Sequence, residues 1–162
     1  MEQLRRWVTH LLDILTGTCF LVMVGLTFWQ VIMRYLFHTP LTWSEELVGY
    51  LFAWASLLGA CLVTGERGHM NIPVICQKMP ETVQKWLGIV GEGIAFLFSV
   101  VILVYGGVEI TQLSMGQMTA SLGVPIGVFY VFLPVAGVLN ALYTILNIIA
   151  IAEGKTKAFV ED

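Results

Sequence analysis

The sequence predicts an all-α integral membrane protein with four transmembrane helices, and three observations carry that prediction. First, 57% of the 162 residues are hydrophobic and only 12% are charged, with a mean hydropathy of +0.83, outside the range of soluble domains. Second, the apolar residues gather in four runs, at about 11–34, 45–65, 86–109 and 125–151, each near the ~20 residues that cross a hydrocarbon layer as a helix. Third, the positive charges are placed asymmetrically. With the N-terminus inside, Arg5, Arg6, Arg67, Lys78, Lys85, Lys155 and Lys157 are cytoplasmic and only Arg34 is outside, which predicts an N-in/C-in arrangement. Residues 1–162 then make a single membrane domain, since four spans and their connections use up the length.

The first run follows Arg5 and Arg6, but it is too long for a signal-peptide core and has no Ala-x-Ala site. We expect it to be retained. Residues Glu2 to His10 mix Leu4, Trp7 and Val8 with charged groups, as suits a helix that starts in the headgroup zone. Asp13 lies a turn deeper, as an interfacial carboxylate reaching water or as a buried partner contact. Thr27, Gln30 and Arg34 share a face near the outer end, where Arg34 can meet lipid phosphate or the following carboxylates. His38 belongs to the outer turn.

The second run begins after Pro40. Thr42 followed by Glu45 has the form of a capping box, and Glu45 and Glu46 both suit the positive end of the helix dipole. At about 100° per residue, Glu46, Gly49, Ala53, Ser56, Ala60 and Thr64 fall in one narrow sector. Such a small-residue seam lets another backbone approach closely in lipid, where apolar area alone does not hold helices together. The bulky Phe52, Trp54, Leu57 and Leu58 lie off it.

Residues 66–85 alternate charged residues with Ile72, Val74, Ile75 and Met79 between Pro73 and Pro80. They read as a short interfacial amphipathic segment, resting on membrane lipid or on another subunit. The third run repeats the seam, with Gly88, Glu92, Ala95, Ser99, Gly106 and Glu109 at helical spacing. Glu92 lies within the run, so it needs a partner, either functional or on a neighbouring helix. After a charge-free connector from Gln112 to Gly123, Pro125 fits a first helical turn and Pro134 predicts a kink that frees a carbonyl. Gly137, Asn140, Thr144 and Asn147 extend a polar stripe suited to holding helices together.

No nucleophile–base pair, phosphate-binding glycine loop or zinc spacing occurs, so no catalytic, cofactor or metal residue is assigned. Cys19, Cys61 and Cys76 share no CxxC spacing, and no basic field invites nucleic acid. A haem or quinone anchor would need two inward histidines at one depth, and only His10 and His69 share a side. A self-sufficient proton-coupled exporter would have Glu92 as its carboxylate, although Glu92 is shallow. Broken helix pairs in matching halves, which point to a substrate site, are absent.

Arg34-Tyr35, Trp43-x-Glu45-Glu46, Tyr50, Trp54, Gly59 and Arg67-x-His69 together resemble the signature of the small membrane subunit of tripartite ATP-independent periplasmic (TRAP) transporters. Pro125, Tyr130, Pro134 and Gly137 continue the likeness. The resemblance implies an uptake system in the bacterial inner membrane for an organic acid, sialic acid or a C4-dicarboxylate, with sialic acid slightly favoured. A soluble binding protein delivers the substrate transiently, and a large sodium-coupled subunit carries it by an elevator movement. The small subunit forms a stable heterodimer with the large one and braces it, and no sodium site is expected in this chain.

The expected contact with the large subunit lies on the seams of the second span (Gly49, Ala53, Ser56, Ala60) and third span (Gly88, Glu92, Ala95, Ser99). Arg34, Trp43, Glu45 and Glu46 order their outer ends, and the signature residues Gly59 and His69 join the same set.

Overall fold

A computed structural model describes residues 2–65 and 80–152. They form α1 (Glu2–Tyr35), α2 (Thr42–Gly65), α3 (Glu81–Phe98), a π-helical segment (Ser99–Gly106), α4 (Gly107–Ser114), α5 (Gly127–Tyr130) and α6 (Phe132–Ala152). Four stretches are long and apolar enough to cross a membrane: Arg6–Tyr35, Thr42–Gly65, Thr82–Ser114 and Gly127–Ala152. The protein is therefore a four-span helical membrane protein. Among the described residues the only β-type pairing is an isolated bridge between Met118 and Pro125.

Two spans run longer than their apolar cores, because the polar residues at their ends stay helical. At ~1.5 Å per residue the 34 residues of α1 extend about 51 Å, against ~30 Å of hydrocarbon. Most of the expected surface helix over 66–85 lies outside the described residues. Its last part, from Glu81, already belongs to α3.

The first helix shows how few of its residues pack inward. From Arg6 to Tyr35 only Leu12 is buried, and half-buried positions recur around it at Thr9, Thr16, Cys19, Met23, Leu26, Gln30 and Met33, with Val8 and Ile32 beside them. The alternating steps of three and four are the heptad spacing of coiled-coil packing. The remaining positions are exposed, among them Leu11, Phe20, Leu21, Phe28 and Tyr35, and an apolar exposed surface suits lipid. Asp13 is exposed as well.

The chain divides into two compact units, Met1–Ala60 with Val108–Phe132, and Cys61–Gly107 with Leu133–Asp162. In the first unit the aromatic residues of α2 hold the start of the fourth span. Tyr50 stacks on Phe129 at 4.0 Å, Trp54 stacks on Phe132 at 4.8 Å, and the Trp54 Nε1–H donates to the Phe129 carbonyl at 3.0 Å. The carbonyl that Pro134 leaves without a helical donor is that of Tyr130, four residues back, so the one Trp54 bonds is its neighbour. The helix is interrupted at Val131, between α5 and α6.

The second unit is held by polar groups. Asn147 Nδ2 donates to both the Thr64 carbonyl and Glu92 Oε1 at 2.9 Å, and Asn140 Nδ2 donates to Ser99 Oγ at 2.8 Å. The Cys61 thiol donates to the Ala136 carbonyl, and Lys85 donates to the Ala152 carbonyl at 2.9 Å, where a cation offsets the negative helix end. Gly137 is required by closeness. A Cβ there would lie 2.7 Å from Leu103 Cβ and 2.9 Å from the Val104 nitrogen.

The third-span seam departs from its predicted course. Gly88, Glu92 and Ser99 share one buried face, but the buried positions then fall at Gly107, Thr111 and Ser114, while Glu109 is exposed and Gly106 only half-buried. The prediction assumed an unbroken α-helix. The π segment shifts the inward face by one residue.

Candidate functional site

Chemistry at the outer end of α2 starts from its first turn. Thr42 is already helical, so the capping box expected there is not formed in that register. The Leu41 carbonyl instead accepts the Ser44 and Glu45 N–H groups and the Ser44 hydroxyl. This leaves both carboxylates of the turn for longer-range work. Glu45 pairs with Arg34 at the end of α1, with both side chains about half exposed, a setting in which an ion pair contributes only about 0–1 kcal/mol.

Glu46 does something different. Its carboxylate oxygens accept the Ala120 N–H at 3.2 Å and the Ser121 N–H at 2.9 Å. Those amides sit at the tip of the outer connector, which closes on itself through Thr119 N–H to the Val124 carbonyl and Ile126 N–H to the Gln117 carbonyl. Gly123, at φ +66°, supplies the left-handed residue that the turn needs. A charged acceptor on two backbone donors is a strong tether. Trp43, three residues before Glu46 in α2, is partly exposed.

The α1–α2 corner has its own strain. His38 takes φ +55°, a left-handed conformation that costs a non-glycine residue about 1 kcal/mol, while the Thr39 N–H reaches back to the Met33 carbonyl at 3.1 Å.

Below the corner, α2 presents two opposite faces. Ser44, Leu51, Leu58, Cys61 and Gly65 are buried. At about 100° per residue, the sector holding Gly49, Ala53, Ser56 and Ala60 lies roughly 180° from them, and all four are exposed. A Cβ built at Gly49 or at the neighbouring, half-buried Gly59 would meet nothing within 4 Å. Thr64, in the same sector, is buried where its carbonyl meets Asn147.

The other seam has a different setting. Gly88, Glu92 and Ser99 are buried and Ala95 is half-buried, with Glu92 bonded to Asn147 and Ser99 to Asn140. The structure thus groups the nominated residues into an outer corner (Arg34, Trp43, Glu45, Glu46), an open stripe on α2, and a third-span stripe engaged within the chain. His69 lies outside the described residues. Among the described residues, no three His, Cys, Asp or Glu side chains converge as they would around a metal ion.

Two groups were missed by sequence reasoning. The Ala120–Ser121 amides carry no side-chain signal. The inward stripe of α1 left little more, since its Thr9, Thr16 and Gln30 are matched by Asp13, Thr18 and Thr27 at exposed positions of the same helix.

What these features define is a four-span membrane protein with a helix face left exposed among the described residues. Residues 23–154 match the family of tripartite ATP-independent periplasmic transporters, DctQ component. The chain belongs to that family: it is a TRAP small permease subunit, a transporter component and not an enzyme. It is 28% identical over 138 residues to the sialic acid TRAP transporter small permease protein SiaQ of Vibrio cholerae, covering 85% of this chain and 79% of that one. With the C4-dicarboxylate TRAP transporter small permease protein DctQ of the same species it shares 33% over 82 residues, 51% of this chain and 35% of that one. The sialic acid TRAP transporter permease protein SiaT of Haemophilus influenzae is 33% identical over 81 residues, half of this chain but only 13% of SiaT.

Proposed function

We propose that this chain is the stationary scaffold of a sodium-coupled TRAP uptake system in the bacterial inner membrane. It lies N-in/C-in and holds a large permease subunit against the Gly49–Ala53–Ser56–Ala60 face of α2. The observation that carries this reading is the exposure of that face. Small residues in lipid gain little from facing acyl chains and much from a backbone packed against them, and the buried face of the same helix points the other way. The match to 13% of SiaT supports the same view, because it places a segment similar to this one inside a much longer permease chain.

On this reading the substrate and sodium ions bind in the large subunit, which moves while this chain stays fixed. The contact area adds to the frame against which the carrier slides. The outer corner, with Glu46 fastening the connector, keeps the scaffold's outer surface in one shape for a transient binding protein. We assign the system to an organic acid and favour sialic acid over a C4-dicarboxylate, since two of the three relatives named above carry the sialic acid label.

Reconstitution tests the reading. Proteoliposomes holding this chain, its large permease, the cognate binding protein and an inward sodium gradient should accumulate labelled sialic acid, and omitting any one component should abolish uptake. Uptake by the large subunit alone at an undiminished rate would overturn the scaffold role. Uptake of succinate with no uptake of sialic acid would overturn the substrate assignment alone.

A further inference from the structure

The π segment lies where the third span meets the fourth, and contacts between the two helices allow its residues to be counted against a ruler. Glu92 meets Asn147 and Ser99 meets Asn140, so seven residues on one helix answer seven on the other. Beyond Ser99 the count changes. Gly107 lies against Leu133 and Pro134, at 2.9 Å from a built Cβ to Pro134 Cδ, so eight residues of the third span face the six or seven from Asn140 back to Pro134 or Leu133. Gly137 sits between these points, against Leu103 and Val104.

Burial along the third span alone gives the same count. The buried positions Gly88, Glu92, Ser99, Gly107, Thr111 and Ser114 are separated by four, seven, eight, four and three residues. Steps of three, four and seven are one and two α-helical turns of about 3.6 residues each. Eight is one too many for two α turns. The odd step coincides with the segment from Ser99 to Gly106, where the backbone is π-helical and each turn holds about one residue more.

We propose that one residue of Ser99–Gly106 is surplus to the packing of this helix, an insertion that the π turns absorb so that Ser99 and Gly107 can both face the fourth span. The segment is a register compensator. Without it the inward face beyond Ser99 would fall on Gly106, Ile110 and Leu113, and Leu113 is 75% exposed. The surplus is taken up on the exposed side of the segment, where Val101, Ile102 and Tyr105 lie. The inference does not depend on the transport reading.

Deletion tests it on the full-length chain in mild detergent. Removing Ile102, whose side chain is exposed, takes out the surplus and should leave a continuous α-helix with every contact in place. Its melting temperature should stay close to that of the parent, and Ser99→Ala should lower both by the same amount. Removing Ile94, at least as exposed but in the regular helix between Glu92 and Ser99, should lower the melting temperature sharply. It should also abolish the response to Ser99→Ala, since Ser99 and Glu92 can no longer both face the fourth span. The proposal is overturned if the Ile102 deletion melts as low as the Ile94 deletion, fails to fold, or no longer responds to Ser99→Ala.

Discussion

At the scale of single residues, the largest energetic consequences sit where one polar side chain serves several elements. Asn147 is fully buried and donates to Thr64 and Glu92 at once, so it ties α2 and α3 to α6. Replacing it with Leu keeps the branched heavy-atom outline and removes both donations. Leaving a buried acceptor short of a donor costs about 1–3 kcal/mol, so Asn147→Leu should lower the melting temperature more than any substitution on an exposed face. The Arg34–Glu45 pair is the contrasting case, and Arg34→Ala should change stability by less than about 1 kcal/mol. Glu46 stands apart from its neighbour. Glu46→Ala should speed hydrogen exchange at Ala120 and Ser121 several-fold with little effect on global stability, whereas Glu45→Ala should leave those amides unchanged. The sequence showed two adjacent carboxylates in one helical turn and could not divide their roles. Their targets are an arginine eleven residues upstream of Glu45 and two backbone amides some seventy residues downstream of Glu46.

At the scale of elements, the contrast lies between faces built to be filled and faces left open. Gly137→Ala should destabilise the chain by about 1–3 kcal/mol, the usual cost of overpacking, because its Cβ would press on backbone as well as side chain. Ala53→Leu, on the open stripe, should leave the stability of the isolated chain within about 0.5 kcal/mol of the parent. The spans were legible because about 20 apolar residues have few other uses, and the α2 stripe was legible because α2 is one uninterrupted α-helix. The same periodicity misplaced the outer half of the third-span stripe. A run such as Val100–Val104 contains nothing that distinguishes a π turn from an α turn, and the extra residue appears only when burial on both sides is counted. The α1 packing stripe went unread because nearly every residue around that helix is apolar, which leaves hydropathy little contrast.

At the scale of the whole molecule, the account rests on a chain whose helices supply packing surface and no chemistry. Topology can be checked independently. In a background lacking the native cysteines, His38→Cys should react with an impermeant thiol reagent added outside, and Lys155→Cys only after the membrane is opened, as the charge distribution requires. The central claim is that the open face of α2 belongs to the large permease. The most direct test is co-purification of the tagged chain with that permease, comparing the parent with Ala53→Leu and Ser56→Leu. The account predicts that both variants fold and reach the membrane but retain much less permease, with Val138→Ala, on an exposed face of the fourth span, as an unaffected control. Undiminished co-purification of the α2 variants, each with a leucine standing in the proposed contact, would contradict it.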